Sequence, residues 1–117
     1  MQNRVSSIEA YDRFVGRVLE SRRVWGLQSP EGGWAVSPSR EVEGRSVIVF
    51  WSDEAYAARH IKEEWRDYSP AAISLDDFID SWLRGMHQDG VYVGPNWDAH
   101  LCGLECSAVD VAQKLTE

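Results

Sequence analysis

Val47-Ile48-Val49-Phe50-Trp51 places five apolar residues in succession, all of them β-branched or aromatic. A run of that length, with no polar residue alternating through it, reads as a strand buried on both faces. Ser52-Asp53-Glu54 follows it directly. A serine there suits a helix N-cap, because its hydroxyl accepts from a backbone N–H that would otherwise go unpaired. The two acids then sit at the positive end of the helix dipole. Ala57 or Ala58, Ile61 and Trp65 recur at helical spacing, so a helix is expected over 53–65, folded back onto the sheet. This strand–cap–helix unit is the expected centre of one small domain.

The chain of 117 residues is long enough to remove roughly two-thirds of its unfolded surface from water, so one domain needs neither disulfide nor metal to hold it. Hydrophobic residues make up 44% and aromatics 11%, which argues against disorder. Met1 to Ser7 is polar with one arginine and no long apolar run follows, so neither a secretory signal nor a membrane span is expected. Two cysteines four positions apart, with no signal, fit a reducing cytoplasm. The net charge is −7. Acids and bases balance over residues 1–66, whereas residues 67–117 carry only Arg84 and Lys114 against nine acids. A nucleic-acid backbone would be repelled by that half. Arg13, Arg17, Arg22 and Arg23 alternate with Asp12 and Glu20, and read as a solvated helix face rather than a phosphate-binding strip.

Ser6 and Glu9 have capping-box spacing, and Ile8, Tyr11, Phe14 or Val15, Val18 and Leu19 continue a first helix to about Arg22. Val24–Gln28 is expected to be a strand paired as a hairpin with Gly33–Ser37 through a Ser29-Pro30-Glu31-Gly32 turn. Ala71–Ile73 forms a short strand with Pro70 at its start. Ser74 then caps a helix with Leu75, Phe78, Ile79, Trp82, Leu83 and Met86 on one face, closed at Asp89-Gly90. Val91–Val93 and His100–Cys106 are the last expected strands, and Ser107 caps a closing helix. The order predicts an α+β domain: a mainly antiparallel or mixed β-sheet of five to six short strands with about four helices packed on it.

His100, Cys102 and Cys106 would share one face of a strand, where an imidazole and two thiols can supply three zinc ligands. Leu104 lies on the same face and free cysteine ordinarily behaves as a small buried hydrophobe, so core packing is the favoured reading. His60 and Glu64 stand one turn apart on the expected helix, off its apolar face, as an ordinary exposed pair. Asp76 and Asp80 share a helix face, but two carboxylates without further oxygen ligands hold a hard cation poorly. The chain carries no phosphate-binding Gly-Lys-Ser/Thr loop, no His-Glu-x-x-His and no Gly-x-Ser-x-Gly elbow. Five of the six tryptophans fall in expected elements and read as core. Trp97 lies in Gly94-Pro95-Asn96-Trp97-Asp98, either folded over the sheet edge or offered to a partner.

Val24-Trp25-Gly26-Leu27, Gly33-Trp34-Ala35, Phe50-Trp51-Ser52 with Ala57 and Trp65, Ile73-Ser74-Leu75 with Phe78, Trp82 and Leu83, Asp89-Gly90, and Val93 with Pro95-Asn96 recur together. In these residues the chain resembles the bacterial domain-of-unknown-function family DUF2750 over nearly its whole length. It departs from the family pattern at Phe50, where a proline usually precedes the central tryptophan. The resemblance implies a small, soluble, cytoplasmic bacterial protein with no assigned activity, and it transfers no catalytic residue.

Three functional readings follow. The first is a non-enzymatic binding module whose acidic C-terminal part, with Asp76, Asp80 and the Asn96-Trp97-Asp98 loop, meets a basic protein partner or a small ligand such as a cation. The second is a small metal-binding or enzymatic domain using His100, Cys102 and Cys106. The third is a small-ligand domain with a tryptophan-lined pocket. No cofactor, nucleic acid or membrane is expected as a partner, and monomer and homodimer are equally compatible with the sequence.

Overall fold

A computed structural model describes residues 4–117. The polar start read at Met1 to Ser7 therefore lies partly outside the described residues. The first helix, α1 (Arg4–Ser21), buries Ser7, Ala10, Tyr11, Phe14 and Val18. Ser6 lies within the helix and is not the cap expected of it. The buried stripe is correspondingly displaced, which leaves Ile8 and Leu19 exposed.

Strands β1 (Arg23–Gln28), β2 (Val36–Pro38) and β3 (Ser46–Phe50) follow. The Ser29–Gly32 turn forms as expected, with Gly32 at a φ of 92° that glycine adopts without strain. The hairpin it was expected to close is only a stub. Trp34 bridges Gln28 and the Ala35 N–H donates to Leu27, after which the chain leaves β1 and pairs with β3. The reason is occupancy: the Trp25 edge of β1 exchanges both backbone bonds with Trp51, at 2.9 and 2.7 Å. The other edge of β1 pairs antiparallel with β4 (Ser69–Ser74), where Leu27 faces Pro70.

β3 lies between β2, antiparallel to it, and β5 (Tyr92–Pro95), parallel to it from Val47↔Tyr92 to Phe50↔Pro95. Its alternation splits the interior in two. Val47, Val49 and Trp51 face a cluster with Leu27, Ala57, Trp65 and Trp97, while Phe50 packs with Phe14, Phe78, Val93 and Val111 on the other side. Ile48 packs against that second cluster while remaining partly exposed. The expected mid-sheet strand, filled on both faces, is present.

The second face is covered by helices. Leu75–Asp77 (α3), a π-helical stretch at Phe78–Leu83 and Arg84–Asp89 (α4) run on as one rod. Ser74 caps it by accepting from the Asp77 N–H, and Gly90 closes it in the left-handed conformation. Phe78 and Trp82 both stand edge-on to Phe50, with ring centroids 4.9 and 5.7 Å away. Such edge-to-face pairs add about 0.5–1.5 kcal/mol each beyond area burial. The closing helix α5 (Ala108–Thr116) is capped by Ser107 as expected, and Asp110 on it accepts a 2.7 Å hydrogen bond from the Tyr11 hydroxyl of α1.

The first face lacks the long amphipathic helix expected over 53–65. Only α2 (Glu54–Ala58) and a 3₁₀ turn at Glu63–Trp65 form. His60 Nδ1 lies 3.0 Å from the Tyr56 carbonyl, the acceptor that an α-helix reserves for the His60 N–H, and that N–H turns instead to Ala57. The α-helical ladder stops there, with the His60 ring seated beside the carbonyl that the next bond would use. The expected strand over His100–Cys106 is also missing. That segment is irregular and touches the sheet only where Cys106 bridges Val93. With four helical rods and five strands among the described residues, the architecture is the expected α+β domain, its strands divided between a two-stranded antiparallel sheet, β1–β4, and a three-stranded mixed sheet, β2–β3–β5.

Candidate functional site

β3 and β5 point the same way, and the chain leaves their carboxyl ends in different directions, toward α2 after Ser52 and into the 97–106 loop after Asn96. Parallel strands that diverge in this way open a crevice beyond their ends, which is where open α/β sheets ordinarily seat ligands. Asn96 holds the crevice in shape. Its N–H continues the ladder to the Phe50 carbonyl at 2.9 Å, and its side chain turns back under the sheet end. The Oδ1 accepts from the Ser52 N–H at 2.8 Å, while Nδ2 donates to Ser52 Oγ at 3.0 Å and to the Ala10 carbonyl at 3.4 Å. Its backbone is left-handed, φ 48°, which asparagine tolerates better than most residues. Ser52 is thereby buried and engaged. Asp53 takes the N-cap position that the sequence suggested for Ser52.

Trp97 takes the inner of the two placements open to it. It is 3% exposed, its indole N–H donates to the Leu104 carbonyl at 2.7 Å, and its own carbonyl accepts from Trp51 Nε1 at 3.3 Å. The ring lies flat against Gly94 and Gly103. A Cβ on Gly94 would stand 2.6 Å from it, and one on Gly103 closer still.

His60, placed by sequence on an exposed face with Glu64, is instead 4% exposed and stacked on Trp51 with centroids 4.6 Å apart. Its Nε2 lies 2.8 Å from the Asp98 carbonyl, so the ring braces α2 against the 97–106 loop. Two hollows flank this brace. One, of about 260 Å³, lies at the strand ends: Trp51, Asn96, Trp97, Asp98 and Ala99 form one wall, Tyr56, Arg59 and His60 another, and Arg13 of α1 reaches in from the third. The other, of about 300 Å³, lies between the 3₁₀ turn and residues 99–101, with Lys62, Glu63 and Glu64 at its rim. The first is built on strand ends and a long helix, whereas the second is built on a single turn and a loop. Rigid walls hold a ligand's partners in place before it arrives. A third, apolar hollow of about 280 Å³ lies between α4 and α5, lined by Ile79, Leu83, His87 and Val109.

The structure thus brings Asn96, Trp97 and Asp98 to one wall of the strand-end cleft. It leaves Asp76 and Asp80 exposed on the α3 rod, away from that cleft, with Asp76 ion-paired to Arg22 at 3.1 Å. It also disperses the sulfur-imidazole trio. His100 is exposed, Cys102 accepts from the Arg40 guanidinium at 3.0 Å, and Cys106 is buried at the sheet. Burial, with Asp110 nearby, pushes the Cys106 thiol up to about 12. Among the described residues no three His, Cys, Asp or Glu side chains gather as a metal-holding group. Glu105 has a structural task instead. Burial would raise its carboxyl, but hydrogen bonds from Arg45, Ser39 and the Arg40 N–H outweigh that and hold it below the ordinary range. Sequence reasoning weighed Arg13 only as part of a basic strip and read it as a solvated helix face, and it did not single out Tyr56 or Arg59. The usable signal was their convergence on the end of the Val47–Trp51 strand, which only its parallel pairing reveals.

A family model described as "Protein of unknown function (DUF2750)" matches residues 11–115. No curated protein and no solved structure matches the chain.

Proposed function

The chain belongs to the DUF2750 family, and from that premise we propose that it is a binding module for a small molecule, seated in the cleft at the carboxyl ends of β3 and β5. The observation that carries this reading is the cleft's composition. The half-buried Tyr56 ring meets a few polar groups on a frame fixed by the buried Trp51 and Trp97, an apolar wall with few polar groups as in small-molecule sites generally. Its volume of about 260 Å³ falls below the usual range of about 300–1,000 Å³, so the ligand is small. A basic protein partner at the Trp97 loop would need an aromatic anchor at the surface, and the Trp97 ring is packed inside.

Two tryptophans in the cleft make intrinsic fluorescence the natural readout. A metabolite panel is expected to contain a compound that changes the emission saturably and raises the melting temperature, with both effects lost in Tyr56→Ala. A broad panel that alters neither emission nor melting temperature would refute the reading.

A further inference from the structure

We propose that the ligand of this cleft is a small organic oxyanion, a carboxylate or phosphate carried on a planar apolar group. The inference rests on the small-molecule reading above and specifies its chemistry. Arg13 enters the cleft from α1 and Arg59 from the end of α2, so two guanidinium groups approach one space from separate elements. Neither belongs to the ion pairs found among the described residues, which join Arg17 to Asp53, Arg22 to Asp76 and Arg45 to Glu105. The contrast with Arg17 is informative: one turn beyond Arg13 on the same helix, it has a carboxylate at 2.9 Å.

Asp98 Oδ1 accepts from the N–H groups of His100 and Cys102, at 2.9 and 3.0 Å, and so closes its own turn. The chain as a whole carries −7, yet this cleft takes Arg13 and Arg59 from the half in which charges balance, against one lining acid, Asp98. Its local sign is therefore opposite to that of the molecule. Guanidinium groups bind carboxylate and phosphate through paired N–H donors, which favours an oxyanion over a halide or a neutral carbonyl. The planar part of the ligand follows from Tyr56. Its half-buried ring lines the cleft, with the Arg59 and Arg17 guanidinium groups 5.2 and 5.9 Å from its centroid, and its C–H edge is apolar.

The test is an amide NMR titration of the whole chain with benzoate, phenyl phosphate, inorganic phosphate, benzamide and benzylamine. Benzoate or phenyl phosphate is expected to shift the amides of residues 56–60 and 96–99 saturably, at least about tenfold more tightly than benzamide or benzylamine. Which of the two binds better identifies carboxylate or phosphate as the headgroup. Arg13→Gln and Arg59→Gln, made separately so that a folding failure in one leaves the other informative, are each expected to remove that preference. Both side chains are exposed, and the variants' spectra away from the cleft report whether the fold is intact. Benzamide or benzylamine binding as tightly as the anions would overturn the inference while leaving a small-molecule cleft in place. Inorganic phosphate binding as tightly as phenyl phosphate would overturn the planar part. No shift from either aromatic anion at about 10 mM would overturn the inference whatever the metabolite panel shows.

Discussion

Asn96 carries more of the local structure than any other polar residue near the cleft. It joins the ends of β3 and β5 to α1 through three side-chain hydrogen bonds and a left-handed backbone. Removing its amide leaves the buried Ser52 N–H without a partner, and an unmet buried group costs about 1–3 kcal/mol. Asn96→Ala is therefore expected to lower unfolding free energy by about 2–3 kcal/mol in urea denaturation. A loss under about 0.5 kcal/mol, the scale of an ordinary surface change, would contradict the clamp. Asn96 and Trp97 stood out in sequence because a Gly-Pro-Asn-Trp-Asp loop is unusual, but whether such a loop points in or out depends on what it meets across 40 residues of chain. Arg13 and Arg59 were illegible for a different reason. An arginine among acids on a helix looks the same whether solvent or a cleft lies beyond it.

At the scale of elements, β3 and the Leu75–Asp89 rod were readable because their patterns are long and their caps local: Ser74 and Gly90 sit where the sequence puts them. The helix after β3 was over-read, since its apolar spacing runs on to Trp65 while the His60 N–H turns to Ala57 and the ring tucks in against Trp51. The 100–106 segment was over-read as a strand because alternation of Cys102, Leu104 and Cys106 imitates one. Its backbone instead wraps Trp97, and Leu101 takes a φ of 56°. Gly103 makes that wrap feasible by leaving room for the Trp97 ring. Gly103→Ala is expected to push the indole off its site, lowering the melting temperature and red-shifting tryptophan emission. An unchanged spectrum and melting curve would show that the loop is not packed on the ring.

For the whole molecule, β3 divides the interior into two cores, and titratable groups tie the pieces together at their edges. Burial, then the Asp110 hydrogen bond, raises the Tyr11 phenol, and burial raises the Cys106 thiol to about 12. Unfolded, these groups ionise near 10 and 8.5 respectively. From about pH 9 upward the unfolded chain therefore releases protons that the folded one retains, and stability falls. Glu105 works in the other direction: held below its ordinary value near 4.3, it contributes stability above that pH and loses it as pH falls through the folded value. Melting temperature is thus expected to be level near neutrality and to decline on both sides. Tyr11→Phe with Cys106→Ala is expected to flatten the alkaline decline; an alkaline limb as steep as that of the parent would refute the assignment.

The central claim is that the crevice where two parallel strands end is where this protein meets its ligand. Mapping amide shifts with whatever compound the metabolite panel yields tests it most directly. The shifts are expected at residues 56–60 and 96–99, around the Asn96 clamp and the His60 brace. Shifts gathered instead around Ile79, His87 and Val109, at the hollow between α4 and α5, would contradict it.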